Sequence, residues 1–274
     1  MEVYKYFNLT QNPFRDTVNP KFFFQTEIHE RAYFRMKYCI EDERAIGLVT
    51  GPSGAGKTLL SQLLLRDMDP QKYLLLVVLC SPQMSKTALL REILGELEVD
   101  PPAGGTRPLL DAVHQKVLEE YQNGRRVVLL VDEAHFLSSE ALHLLRTVSN
   151  LETSTTKLVT TILFAEDFFL KRLNHPRYAS LRSRVSQQAH LSPLSVSDTE
   201  HLMKFRILVA GGNGHTFEPE CYEKIYEFSR GIPREISRWA DNALLEAMIR
   251  SKDFVDVALL EEMKKEGDMC FSNG

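Results

Sequence analysis

The segment Gly51-Pro-Ser-Gly-Ala-Gly-Lys57-Thr58 constrains the fold of this chain more than any other. It follows the short apolar run Ala45–Thr50 and opens a helical pattern carrying Leu59, Leu60, Leu63 and Leu64. A strand that turns through glycines straight into a helix brings several backbone N–H groups to one point. The helix N-terminus adds a partial positive charge there. Such a turn suits a phosphate group. Gly51, Pro52, Ser53, Gly54, Ala55, Gly56, Lys57, Thr58 and Leu59 are the expected cradle, with Lys57 reaching the terminal phosphates of a nucleotide and Thr58 holding Mg2+.

Around that loop the pattern repeats. Apolar runs at Leu74–Cys80, Val127–Val131, Leu158–Ala165 and Val185–Leu191 alternate with helix-like stretches at Thr87–Leu97, Leu109–Tyr121, Ser139–Ser149 and Phe168–Leu173. Residues 27–43 precede them with helical spacing, and 101–108 (PPAGGTRP) reads as a linker. Short runs alternating with helices indicate βαβ units, so the expected class is α/β, a doubly wound parallel sheet covered on both faces. After Ser192-Pro193 no strand candidate remains, and the helical stretches Thr199–Val209, Pro219–Ser229, Arg234–Arg250 and Val257–Lys265 make up an all-helical second domain. The expected division is an aromatic arm at 1–26, an α/β core at 27–197 and a helical domain at 198–274. The arm carries Asn-Pro pairs at 12–13 and 19–20, which favour turns.

Composition narrows the functional classes. Net charge is −4, so no chain-wide positive field marks a nucleic-acid binder. The four cysteines, Cys39, Cys80, Cys221 and Cys270, form no CxxC pair, which argues against a zinc knuckle and for a reducing compartment. The N-terminus lacks the apolar stretch of a signal peptide, and every apolar run falls far short of the roughly 18 residues of a membrane helix. The expectation is a soluble, cytoplasmic protein without direct membrane insertion, reaching any membrane through a partner.

The run Val127–Val131 ends in Asp132-Glu133. Strand side chains alternate faces, so the two carboxylates are expected to point differently: Asp132 toward the metal's water shell, Glu133 toward the attacking water. The alternative is that the pair only caps the next helix. The tetrad Asp132-Glu-Ala-His135 also occurs in one class of helicases, but these need a second motor domain for which 274 residues leave no room. The eight histidines show no HxxxH or His/Cys cluster and read as structural.

Taken together, the glycine-rich loop, the Asp132-Glu133 strand end and the later Gly231-Ile-Pro-Arg234 resemble AAA+ ATPases. More narrowly, the chain is similar to the ExeA-type ATPases of the general secretion pathway, with relatives among transposition regulators of the TniB and TnsC kind. The resemblance takes in the arm (Tyr6-Phe7-Asn-Leu, Asn12-Pro-Phe14, Asn19-Pro-Lys-Phe22), Leu181-Arg182-Ser-Arg184 and Leu191-Ser-Pro-Leu194. It implies a P-loop NTPase core with a C-terminal helical lid, a nucleotide site between them, and ATP hydrolysis with Mg2+ held through Thr58 and Asp132. Lys57 and Glu133 would act on the phosphates and the water, and Arg234 would be the sensor-2 arginine. Arg182 and Arg184 match the region that supplies an arginine finger to a neighbouring protomer, implying an ATP-dependent homo-oligomer with an unidentified protein partner. Independently, residues 168–197 hold no acid but carry Lys171, Arg172, Arg177, Arg182 and Arg184, a face for solvent, for a neighbour's nucleotide or for DNA. The arm aromatics Phe7, Pro13 and Phe14 could line an adenine pocket or simply strap the domain. Relatives of the ExeA type carry a Gly-Gln-Pro-Glu-like end to the fourth strand, where this chain has Phe164-Ala-Glu166-Asp. A carboxylate beside a terminal phosphate repels it, so Glu166 is expected to point elsewhere. The expected role is a switch or remodeller in a secretion or pilus-type machine, or else an ATP-dependent DNA-binding regulator, or, from Glu166 at the sensor position, a non-hydrolysing nucleotide-binding scaffold.

Overall fold

The computed structural model describes residues 2–15 and 20–271, with side chains at 2–15 and 21–266; Asn19 and the Pro20 side chain of the second Asn-Pro pair and the Cys270 side chain lie outside the described set. The chain divides into two compact units. One holds residues 27–52 and 56–191; the other holds 1–26, 53–55 and 192–274.

The first unit is built on five parallel strands, β1 (Ile46–Thr50), β2 (Tyr73–Leu79), β3 (Arg126–Asp132), β4 (Val159–Ala165) and β5 (Val185–His190), in the order β2-β3-β4-β1-β5. Every residue of β1 and β4 is buried, as expected of strands covered on both faces. The edge strand β5 alternates instead, with Ser186, Gln188 and His190 exposed. On the other edge, the outward Val77 N–H donates to Glu96 Oε2 at 3.1 Å, which occupies a donor that would otherwise invite strand pairing. The order inserts β4 between the strand that feeds the glycine loop and the strand that ends in Asp132. The tip of β4 is thereby delivered to the same rim.

Helices cover both faces: Glu27–Glu41, Lys57–Asp67, Lys86–Glu96, Thr106–Gln122, Ser139–Val148, Phe168–Leu173 and Ala179–Arg182. Ser85 and Ser138 cap two of them, each accepting from the backbone N–H three residues on at 3.2 Å. The helix expected at Leu109 starts earlier, at Thr106, inside the stretch read as a linker. Pro108 falls in its first turn, where a missing N–H costs nothing.

The second unit packs Val196–Val209, Pro219–Ser229, Pro233–Ile249 and Val257–Phe271 around one apolar cluster. Its first helix begins before the expected Thr199, because Ser195 and Asp198 form a reciprocal capping box. The aromatic arm belongs to this cluster. Phe7, Leu9, Phe14 and Phe22 are buried in it, and Phe14 sits edge-on to Phe217 with centroids 6.0 Å apart. Asn12 explains the Asn-Pro turn: its Oδ1 accepts from Phe14 N–H at 2.8 Å, while its Nδ2 donates to Asp241 Oδ1 at 2.8 Å. Of the two readings of the arm, the strap is the one this packing supports. Phe14 is 2% exposed and has no face left for a base.

Candidate active site

β1 delivers the chain to Gly51, and the loop closes on Gly56, the residue preceding the helix that opens at Lys57. Gly54 (φ +80°) and Gly56 (φ +98°) lie in the left-handed region, where a side chain is strained. A Cβ on Gly56 would also stand 3.0 Å from His29 Nε2. Because the residue at the helix start is glycine, no side chain caps the first turn. Its N–H groups are left for a ligand, and an anion is what their dipoles favour.

Lys57 is 5% exposed, and its Nζ donates to the carbonyls of Gly51 and Pro52, both at 2.9 Å. Burial holds its pKa below the usual lysine value, against the opposing pull of Glu133, Glu166, Asp132 and Asp167. A buried cation bonded only to neutral carbonyls is poised for a stronger, anionic acceptor. Beside it, Thr58 Oγ1 donates to Asp132 Oδ2 at 2.7 Å, and Asp132 is 4% exposed. Thr58 and Asp132 thus present paired hard oxygens from two elements far apart in sequence, the donor type that Mg2+ takes. The uncapped helix start, the buried ammonium and this oxygen pair fit a nucleotide with Mg2+.

Glu133 leaves the strand by a route the alternation rule does not describe. β3 ends at Asp132, and Glu133 is left-handed (φ 53°, ψ 38°), an uncommon conformation for a non-glycine residue that is often found at functional sites. Its N–H donates to Asp132 Oδ1 at 2.9 Å. Its carboxylate makes no cap bond to the turn Ala134–Phe136, so the capping alternative does not apply. Oε2 is buried without a hydrogen bond and faces His135 Nδ1 at 3.4 Å.

Glu166 corrects an expectation. It does not turn away: Glu133, His135 and Glu166 bring one ligand atom each to within 4.8 Å of the others, a set that could hold a metal ion. Glu166 follows directly on β4, which the strand order places between β1 and β3. The Glu166 N–H donates to His135 Nδ1 at 3.3 Å. The reading of the histidines as unclustered overlooked His135, whose partners are acids from two strand ends. The signal available in the sequence was its place two residues after Glu133.

The arginines divide. Arg172 Nη1 donates to the His135 carbonyl at 3.1 Å and Nε to Tyr178 OH at 3.4 Å, so this member of the basic run is structural. Arg177 lies over the Tyr178 ring at 5.9 Å. Arg182 is exposed and donates to the carbonyl and Oδ1 of Asn174, at 3.2 and 3.4 Å. Among the described residues, no hydrogen bond or ion pair joins Arg182 or Arg184 to Lys57, Asp132 or Glu133. In the helical unit, Arg234 follows Pro233 at the start of its helix and donates from Nη1 to Ser53 Oγ at 3.3 Å. Its backbone N–H reaches the Gly54 carbonyl at 3.3 Å.

Residues 40–173 match the AAA domain family. The chain is 32% identical over 248 residues to the general secretion pathway protein A of Aeromonas hydrophila, covering 90% of this chain and 45% of that protein. It therefore spans about half the length of that relative. Among solved structures, the Aeropyrum pernix ORC1 protein in complex with DNA superposes with a TM-score of 0.70 at 15% identity, over 93% of this chain and 68% of that one. The ORC2 protein of the same organism, in ADPNP–ADP complexes, gives 0.66 at 16% identity, over 92% and 70%. The Thermotoga maritima RuvB Holliday junction branch migration motor gives 0.58 at 16% identity, over 90% and 72%. At these identities the structures establish the fold.

Proposed function

Since the chain is an AAA+ P-loop protein related to general secretion pathway protein A, we propose that it binds and hydrolyses ATP at the Gly51–Leu59 loop. The observation that carries this reading is the 2.7 Å bond between Thr58 Oγ1 and Asp132 Oδ2 beside the buried Lys57. When ATP binds, Lys57 exchanges two neutral carbonyls for phosphate oxygens, and charge-assisted bonds are roughly twice as strong as neutral ones. Thr58 and Asp132 would hold Mg2+, directly or through its water shell, and the ion would supply neutralisation of the phosphate charge. Glu133, on its left-handed turn, polarises the attacking water and takes its proton. Arg234 reads the terminal phosphate. Arg182 and Arg184 complete the site of a neighbouring protomer, which makes ATP an assembly signal and hydrolysis its reversal.

The chain would serve a secretion or pilus-type envelope machine as an oligomerising switch, a role supported by its relation to general secretion pathway protein A. In this reading it works from the cytoplasm and a protein partner brings it to the envelope; no helix among the described residues is long and apolar enough to cross a membrane. A second reading, ATP-dependent DNA binding, is favoured by the exposed Lys171, Arg177 and Arg182 in a stretch without acids. Retention of DNA with ATP that weakens steeply with salt would support the second reading over the first.

The test of the enzyme reading is a pair of variants. Lys57→Ala is expected to lose ATP binding in calorimetry. Glu133→Gln should bind ATP with Mg2+ yet release phosphate about 10^2–10^4 times more slowly, the usual contribution of a positioned base. Turnover unchanged in Glu133→Gln removes the assignment.

A further inference from the structure

Resting on the reading of Glu133 as the base, we infer that His135 is its positioning residue, linking the carboxylate to the backbone at the tip of β4. The ring nitrogen Nδ1 has two claimants. Glu166 N–H donates to it at 3.3 Å, and Glu133 Oε2 stands 3.4 Å away, buried and without a hydrogen bond. A neutral imidazole nitrogen either accepts or donates. With its lone pair turned to Glu166 N–H, Nδ1 repels Glu133; with a hydrogen on Nδ1 it holds Glu133 and abandons the Glu166 amide. One state frees the carboxylate and the other retains it.

The ring stays in place while this choice is made. The His135 side chain is 3% exposed, with ring centroids 4.2 Å from Phe136 and 5.0 Å from Phe168. Its carbonyl is held by Arg172, which is braced by Tyr178; the Tyr178 hydroxyl lies 2.7 Å from Ser139 Oγ. Since the imidazole is buried between Phe136 and Phe168, the Glu133 side chain, one-third exposed, is the part that moves. The state with a hydrogen on Nδ1 is the one that holds Glu133 in its working orientation; when Nδ1 accepts from Glu166 N–H instead, the carboxylate loses that hold. Any shift of the β4 tip is thereby felt at the base through one histidine.

The experiment compares His135→Phe, which keeps an aromatic ring between Phe136 and Phe168, with His135→Asn, which keeps a polar atom near the place of Nδ1. In the full-length chain, His135→Phe is expected to lower kcat about 10–100-fold, the usual cost of removing an orienting partner, with ATP affinity within about twofold of the parent. His135→Asn should recover most of the loss, and His135→Phe should add nothing to Glu133→Gln. A His135→Phe rate within about threefold of the parent, equal losses in the two variants, or an additive double variant would overturn the inference. A readout without turnover accompanies it. In the ATP-free protein, Glu133→Gln should move the 15N resonance of His135 Nδ1, and an unmoved resonance would also overturn it. If the resonance moves but Glu133→Gln hydrolyses ATP normally, the base assignment fails while the His135–Glu133 link stands.

Discussion

Replacing Lys57 with methionine separates the energetics of the empty loop from those of ligand binding. In the ATP-free protein Lys57 is 5% exposed and its ammonium is bonded only to the Gly51 and Pro52 carbonyls. Removing those two bonds costs about 1.5–3 kcal/mol each at most, as hydrogen bonds to a charged group. Against that stands the desolvation of a buried cation, several kcal/mol. The lowered pKa of Lys57 shows that burial outweighs the surrounding acids and disfavours the charged form. Lys57→Met is therefore expected to leave the ATP-free chain as stable as before or up to about 1 kcal/mol more stable. In a chain this size that is a Tm rise of about 0–4 °C in calorimetry. The sign with pH follows. A lysine whose folded pKa is depressed carries its penalty at pH values below that pKa and sheds it as pH rises through it. The parent should thus gain on the variant as the solution is made alkaline. ATP with Mg2+ at 100 times Kd adds about 2.7 kcal/mol to the parent, a shift of about 5–11 °C; the variant should show none. A fall of more than about 4 °C in the ATP-free variant at neutral pH would mean that the carbonyl bonds, not burial, dominate. A surviving ATP shift would mean that Lys57 does not meet the phosphates.

Three further outcomes are expected. Phe14→Ala removes a fully buried ring from the helical cluster and should cost about 3–5 kcal/mol, read by denaturant unfolding; a loss below 1 kcal/mol would contradict the packing of the arm. A double Arg182→Ala, Arg184→Ala variant should lose about 10^3-fold in kcat and regain activity when mixed with Glu133→Gln, because each protomer lends what the other lacks; no recovery on mixing would place the arginines in cis. The thiols of Cys39, Cys80 and Cys221 are buried, with burial pushing their pKa values up to about 11, about 12 and about 12. In a Cys270→Ser chain, a disulfide reagent at pH 8 should therefore label none of them before unfolding.

The local chemistry was legible in the sequence because it is short-range. A strand, six loop residues and a helix start are contiguous, so the glycine loop proposed as the phosphate site and the paired acids at 132–133 stand in the primary structure. Five strands and their helices followed from the alternation of apolar runs, with ends displaced where a cap decided them, as at Ser195–Asp198. The left-handed turn at Glu133 was not legible, since no residue preference announces a positive φ at a glutamate. Nor was the direction of Glu166. Which strand lies between β1 and β3 is a property of the whole sheet, and only that order brings the end of β4 to the rim where Asp132 and Thr58 meet. The roles of His135 and Arg172 depend on the same long-range placement, because each bond partner comes from another strand end or helix. Chemistry carried by neighbours in the chain could be read from residue types alone; chemistry carried by neighbours in space waited on the sheet.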